Sequence, residues 1–322
     1  MTARVVCLGP HIVDVLVRPV GVIPPGQGGA LVDDIRITAA GTAAGTAVDL
    51  AKLGARVTSV GAIGDDTSGR LLRMLLEEYG IDTSRLVVRA GGRTSATVLP
   101  IRENGERPSL HLPGVTATLT AADVDPALVA EADFLHLGGP DVLGGFTAAA
   151  VPGLLRHARE SGTTTTLDLL SGPESPDFLG DAWQYVDYFL PNEDQLRVLT
   201  GRDDLREAAG VMRDRGVGTV IVTMGGDGSL VVGDSADGEG VAERIPAFRC
   251  AVVDTTGCGD AFVAGLITGL HQGRDVVNAA RLGTAAAAQV AQGLGSDAGI
   301  VDLAGTLDFW AARADEVGAS PR

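Results

Sequence analysis

The chain has 322 residues, 45% of them hydrophobic and 20% charged, and a formal net charge of −16 at pH 7. That is enough chain for one large α/β domain with a small appendage, and enough apolar content for a packed core. So acidic a surface argues against general nucleic-acid binding, which needs basic groups against phosphates; an anionic ligand would be held by local dipoles, metal and a few Arg.

Taken in chain order, Arg4 to Leu8 reads as a buried parallel strand ending at Gly9. It is too short for a signal-peptide core, and no run of ~18 apolar residues follows to span a membrane. Asp14 comes just after, a carboxylate able to accept two hydroxyl hydrogen bonds or to sit as a turn-edge charge. Pro24 to Gly29 is a turn-rich loop and Leu31 to Thr38 a strand. Ala40 to Leu50 reads as a loop turning into a helix. Lys52, at its end, is the only lysine, so the chain has no Gly-Lys-Ser/Thr phosphate loop, and a Schiff-base enzyme is disfavoured.

Val57 to Ile63 is a strand, and Leu71, Leu72, Leu75 and Leu76 form the core stripe of the helix after it. Ser95 to Ile101 and Pro108 to Leu112 read as two strands joined by a turn at Asn104-Gly105. Arg93, Arg102, Arg107 and His111 fall here; they could meet a charged substrate, but most of them read as a solvated edge. From Asp133 the pattern alternates: strands at Phe134 to Gly138, Thr164 to Leu170, Tyr188 to Leu190 and Thr219 to Thr223, with a helix at Gly145 to Glu160. This predicts a parallel sheet with helices on both faces. His136 lies in an apolar run and reads as a satisfied core histidine. Met224 to Ser229 is a glycine turn with a hairpin signal. Val276 to Gln292 is a small-residue helix. Cys7, Cys250 and Cys258 have no metal spacing and read as reduced thiols of a cytoplasmic protein.

The stretch that organises the rest is Asp254-Thr255-Thr256-Gly257-Cys258-Gly259-Asp260. A β-like run, Ala251 to Val253, leads in, and a helical pattern from Ala261 to Gly269 leads out. Successive amides at a helix start make an anion site, and glycines let a phosphate come close. Asp260 in the first turn then stands where a general base would take a proton from an attacking hydroxyl. The plainer reading is a strand-to-helix turn with an acidic first-turn residue.

This stretch closely resembles the C-terminal signature of the ribokinase-like (PfkB) carbohydrate kinases, D-T-x-G-A-G-D, with Cys258 in place of Ala. Matching motifs occur in order along nearly the whole chain. The resemblance implies a three-layer Rossmann-like α/β sandwich with a mostly parallel central sheet and a small β lid. The chain, 1–322, would form one domain, with the lid from about 14–38 and 93–117. It implies Asp260 as catalytic base, with the amides of Gly257, Cys258 and Gly259 holding the transferring phosphoryl group. Asp14, Gly41, Thr42, Gly45 and Asp168 would face the substrate. Asn192, Thr223, Gly225, Gly228 and Thr284 would face the nucleotide. Asp254 and Thr256 would shape the loop or border a monovalent cation, K+. Besides Cys258, four positions depart from the family pattern: Ala40 replaces a Gly, Gly45 a sugar-binding Asn, Leu170 an Asn after Asp168, and Gln195 a Glu that orders magnesium.

The implied activity is ATP-dependent, magnesium-assisted phosphorylation of a sugar or polyol hydroxyl, in a cytoplasmic homodimer paired through the lid. Nucleic acid and membrane are not expected partners. The alternatives are a nucleoside kinase of the same family and a non-catalytic ligand-binding paralogue. A Rossmann dehydrogenase is disfavoured because Gly9-Pro10-His11 lacks G-x-G-x-x-G after the first strand.

Overall fold

The computed structural model describes residues 2–173, 175–234 and 240–321. A nine-stranded sheet forms its centre. Its first strand, β1 (Arg4–Leu8), is buried on both faces: Val5 and Cys7 enter one core cluster, Val6 and Leu8 the other. A strand buried on both faces reads as a continuous apolar run, which is what Val-Val-Cys-Leu supplies. The expected Leu31 to Thr38 strand begins later, and the second sheet opens with β2 (Ile12–Arg18) and β3 (Asp34–Ala40). Then follow α1 (Ala44–Lys52), β4 (Arg56–Gly64), α2 (Thr67–Glu77), β5 (Leu86–Arg89), β6 (Ser95–Pro100) and β7 (Leu110–Leu112).

The alternating half comprises α3 (Pro126–Ala130), β8 (Phe134–Leu137), α4 (Gly145–Glu160), β9 (Thr164–Leu167), β10 (Tyr188–Phe189), α5 (Glu193–Thr200), α6 (Leu205–Asp214) and β11 (Thr219–Thr223). It ends with β12 (Ser229–Asp234), β13 (Gly240–Ile245), α7 (Cys258–His271), α8 (Val276–Val290) and α9 (Leu303–Ala311). The large sheet runs β13-β12-β11-β10-β9-β8-β1-β4-β5, and only the pairs at the β12–β13 edge are antiparallel. One face is covered by α1, α2, α7 and α8, the other by α4, α5 and α6, so the molecule is a three-layer α/β sandwich.

Two elements differ from the sequence reading around the signature. Residues 251–253 form no strand; Val252 is exposed and Val253 bonds the carbonyl of Ala291 instead of a sheet neighbour. Helix α7 starts at Cys258, not Ala261, because Gly257 takes a left-handed φ of 80° and turns the chain directly into the helix. Strand β9 ends at Leu167 rather than Leu170, where the backbone leaves the sheet to enter the site.

The second sheet, β3-β2-β6-β7, stands over the carboxyl ends of the central strands. Its register aligns Thr38, Asp14, Thr97 and His111 in one row across the four strands. The next row, Ile37, Val15, Val98 and Leu110, points to the opposite face by the period of two.

Candidate active site

Most of the expected site residues converge on one cavity of about 790 Å³, lined among others by Asp14, Gly41, Asp168, Asn192, Thr223 and Asp260. Its floor is the loop ends after β8, β9, β10 and β11, the carboxyl ends of parallel strands, where open α/β sheets bind ligands. Its roof is the inner row of the second sheet.

Helix α7 begins in the cavity wall, with Gly257, Cys258, Gly259 and Asp260 lining it. No side chain caps its start, so its leading amides are available to an anion. Gly257 is required twice: its φ is left-handed, and an added Cβ would meet Ser296 Cα at 2.4 Å. The amide of Cys258 turns toward the Thr255 carbonyl at 3.3 Å, a long bond that an anion would replace. The Cys258 thiol is pushed up to about 12, by burial first and then by Asp254, so it stays a neutral thiol. Asp254 braces the loop. One of its oxygens accepts from the Thr256 amide at 3.0 Å and hydroxyl at 2.8 Å, and the other from the Gly295 amide at 3.1 Å.

Asp260 is half-buried in the cavity floor, and its proton affinity is pushed up to about 7. Burial is the main cause and the charge of Asp14 the next; Arg107 and Thr46 oppose them. Asp14 is itself raised to about 6, chiefly by burial, with Thr97 and Arg107 lowering it. Asp168 is raised by burial and by Asp260, and accepts a bond from the Gly139 amide at 3.2 Å. The cavity therefore holds three carboxylates that resist joint ionisation, the setting in which one becomes a base near neutral pH. His136 is no part of that set. Both its ring nitrogens are used, at 3.0 Å to Thr166 and 3.0 Å to the Thr42 carbonyl, and burial lowers its pKa to about 4.

Four expected site residues stand off the cavity wall. Gly45 lies beneath Asp260: a Cβ there would sit 2.4 Å from the carboxylate oxygen Oδ2. Gly228, with φ 88°, lies against the 245–247 backbone, where a Cβ would overlap the Ile245 carbonyl oxygen. Thr284 is buried on α8 and donates its hydroxyl to Ala280 at 2.9 Å. Asp254 sits behind Thr256. Asn192 and Gln195 do reach the cavity, yet they are joined to each other in a reciprocal cap of α5, at 2.8 and 2.9 Å. Gln195 also donates to the Leu169 carbonyl at 3.0 Å, so its amide holds the loop after β9 in place. Glu193 and Asp194 pair with Arg197.

Sequence reasoning weighed Arg107 and His111 against a charged substrate but favoured a solvated edge for most of that group, and it did not name Ser109. Arg107, Ser109 and His111 line the cavity, His111 at 3.1 Å from Thr97 and Arg107 at 3.4 Å from the Thr256 hydroxyl. The signal was the alternation itself: 107, 109 and 111 share one face, while Leu110 and Leu112 take the other. Arg102, by contrast, pairs with Glu106 at the exposed turn.

The sheet order, the cleft at the strand ends and the helix-start anion nest beside a carboxylate define a phosphoryl-handling α/β protein. The chain belongs to the pfkB family of carbohydrate kinases, whose family model matches residues 2–302. Over 282 residues it is 28% identical to a ribokinase of Haemophilus influenzae, spanning 85% of this chain and 88% of that protein. Over 266 residues it is 32% identical to an ATP-dependent ribose-1-phosphate kinase of Halopiger xanaduensis, spanning 82% and 83%. The ribokinase structure from Thermotoga maritima superposes with a TM-score of 0.77 at 24% identity, covering 96% of this chain and 99% of that one, a likeness of fold. Membership makes this chain a phosphotransferase with an alcohol group as acceptor.

Proposed function

We propose that the protein transfers the γ-phosphoryl group of MgATP to a hydroxyl of a sugar or sugar derivative, with Asp260 as general base. The observation that carries this is Asp260 itself: a carboxylate raised to about 7, two residues into a helix whose start is left open to an anion. Asp260 takes the hydroxyl proton as the oxygen attacks, and the amides at 257–259 stabilise the charge that develops on the phosphoryl oxygens. Asp14 and Asp168 orient the acceptor. Thr223 and Gly225 border the nucleotide. Bound magnesium supplies charge neutralisation on the phosphates. Among the described residues no cluster of three or more His, Cys, Asp or Glu is built to hold a metal. Magnesium would enter with the nucleotide, and the cavity-lining carboxamides of Asn192 and Gln195, already bonded in the α5 cap, would give it weaker support than a carboxylate. Potassium would act at the 254–256 loop, and turnover in potassium against tetramethylammonium salts tests that.

The second sheet is the lid of this proposal, and its outer row favours a homodimer. Ile37, Val98 and Leu110 form an exposed apolar row, with Ile35 and Leu112 beside it. Pairing two such rows in the cytoplasm would bury them against each other. Turnover of MgATP against ribose, fructose, ribose 1-phosphate and a nucleoside tests the acceptor. Activity on one sets the substrate class, whereas ligand binding with no turnover on any would favour a non-catalytic paralogue.

A further inference from the structure

The loop after β9 is pinned from two sides. Asp141 accepts from the amides of Leu170 at 3.0 Å, Ser171 at 2.8 Å and Gly172 at 2.9 Å. Gln195 donates to the Leu169 carbonyl at 3.0 Å, a bond that a carboxylate cannot make. Leu170 is thereby set against the turn that carries Val142. A Cβ on Gly139 would meet Leu170 Cβ at 3.2 Å and Pro10 Cγ at 3.1 Å, and one on Gly144 would meet Ala117 Cβ at 3.1 Å. Val142 lies between those two glycines in the chain. Pro10, Leu170, Val142 and Ala117 all line the cavity, and none of the last three is buried. They form an apolar wall beside Asp168, whose carboxylate accepts from the Gly139 amide at 3.2 Å. Ligand cavities combine such apolar walls with a few polar groups that fix orientation.

We propose that the acceptor is a glycoside, a sugar carrying a flat apolar ring, with the ring seated on Leu170, Val142 and Ala117. This rests on the reading of the cavity as a hydroxyl-phosphorylating site. Asp14 and Asp168 face the sugar hydroxyls, and the ring takes from water the apolar surface that the wall exposes. A free sugar gains less here, because a hydroxyl pressed on the wall loses its water and finds no partner. Leu170 and Val142 supply the selectivity. Asp141 and Gln195 are positioning residues, holding the loop that presents Leu170.

The test compares wild-type kcat/KM for ribose, phenyl riboside and adenosine at saturating MgATP. Both glycosides should exceed ribose by ~10-fold or more, the scale of added contact in an apolar pocket. Phenyl riboside ahead of adenosine marks a wall that reads apolar area alone, and adenosine ahead marks one shaped for a purine; either order supports the proposal. Leu170→Asn, at a part-exposed loop position, should shrink the glycoside-to-ribose ratio ~10-fold with KM for ATP kept. Gln195→Glu should shrink the same ratio by releasing the loop. Ribose equal to or better than both glycosides overturns the proposal. So does a Leu170→Asn variant whose ratio is unchanged, including one that loses activity on all three alike, which marks a packing role. Calorimetry separates this from the phosphotransfer reading. Glycosides that bind with no turnover of any acceptor leave the wall standing and sink that reading. Failure of both glycosides to bind overturns the wall, whether or not ribose is turned over.

Discussion

Gly45 packs directly beneath Asp260, the proposed base. From the sequence, an Asn restored at this position would change substrate preference through KM. The contact with Asp260 moves the expected effect onto kcat: even Gly45→Ala puts a methyl 2.4 Å from the carboxylate oxygen, so the carboxylate must shift. Steady-state kinetics should show kcat falling in Gly45→Ala, with ATP affinity kept; unchanged kcat would remove Gly45 from the base's support. In the anion nest, Cys258→Ala should keep most activity because the thiol is neutral and only its amide is used. Gly257→Val should abolish nucleotide binding, measured by calorimetry, because it forces a left-handed φ and overlaps Ser296.

Asp260 also links function to stability. Its pKa is raised from 3.8 unfolded to about 7 folded, so between those values the folded state binds more protons. Stability contributed by this group is thus lost as pH rises through that window. Asp260→Asn should melt at higher temperature than wild type above pH 7, with the gap closing toward pH 4. A gap that is the same at every pH would contradict the raised pKa.

At the scale of elements, the seam between α7 and α8 depends on glycine. A Cβ on Gly265 would meet Gly283 Cα at 2.7 Å, and one on Gly269 would meet Ala279 Cα at 2.7 Å. Gly265→Val should lower the denaturation midpoint by an overpacking cost of ~1–3 kcal/mol without changing the m-value. These elements were readable in the chain because small residues recur at helical spacing. The central strands were readable because parallel strands buried on both faces are plain apolar runs. The run at 251–253 misled for the same reason: Ala-Val-Val has strand propensity, but no sheet edge lies beside it, and tertiary context decides.

At the scale of the whole molecule, the signature loop and the strand-end residues were legible because each carries local chemistry: a helix start, a glycine turn, a lone carboxylate. The lid's contribution was not. Arg107 and His111 look like edge charges until the register of β2, β6 and β7 places them over the cavity, and register is set by pairing across distant segments. Nor could spacing show that Asn192 and Gln195 spend their amides on each other. The outer row of that same lid gives a test of assembly: Leu110→Glu combined with Ile37→Glu should convert a dimer into monomers by sedimentation, and an unchanged mass would contradict pairing through this face.

The central claim is that Asp260 takes a proton from the acceptor hydroxyl. The most direct test is kcat of Asp260→Asn measured alongside its ATP affinity. General-base catalysis is typically worth ~10²–10⁴-fold, so kcat should fall by at least that much. ATP affinity should be kept, since removing a negative charge beside the phosphates does not weaken their binding. Turnover near the wild-type rate, with ATP still bound, would contradict the account.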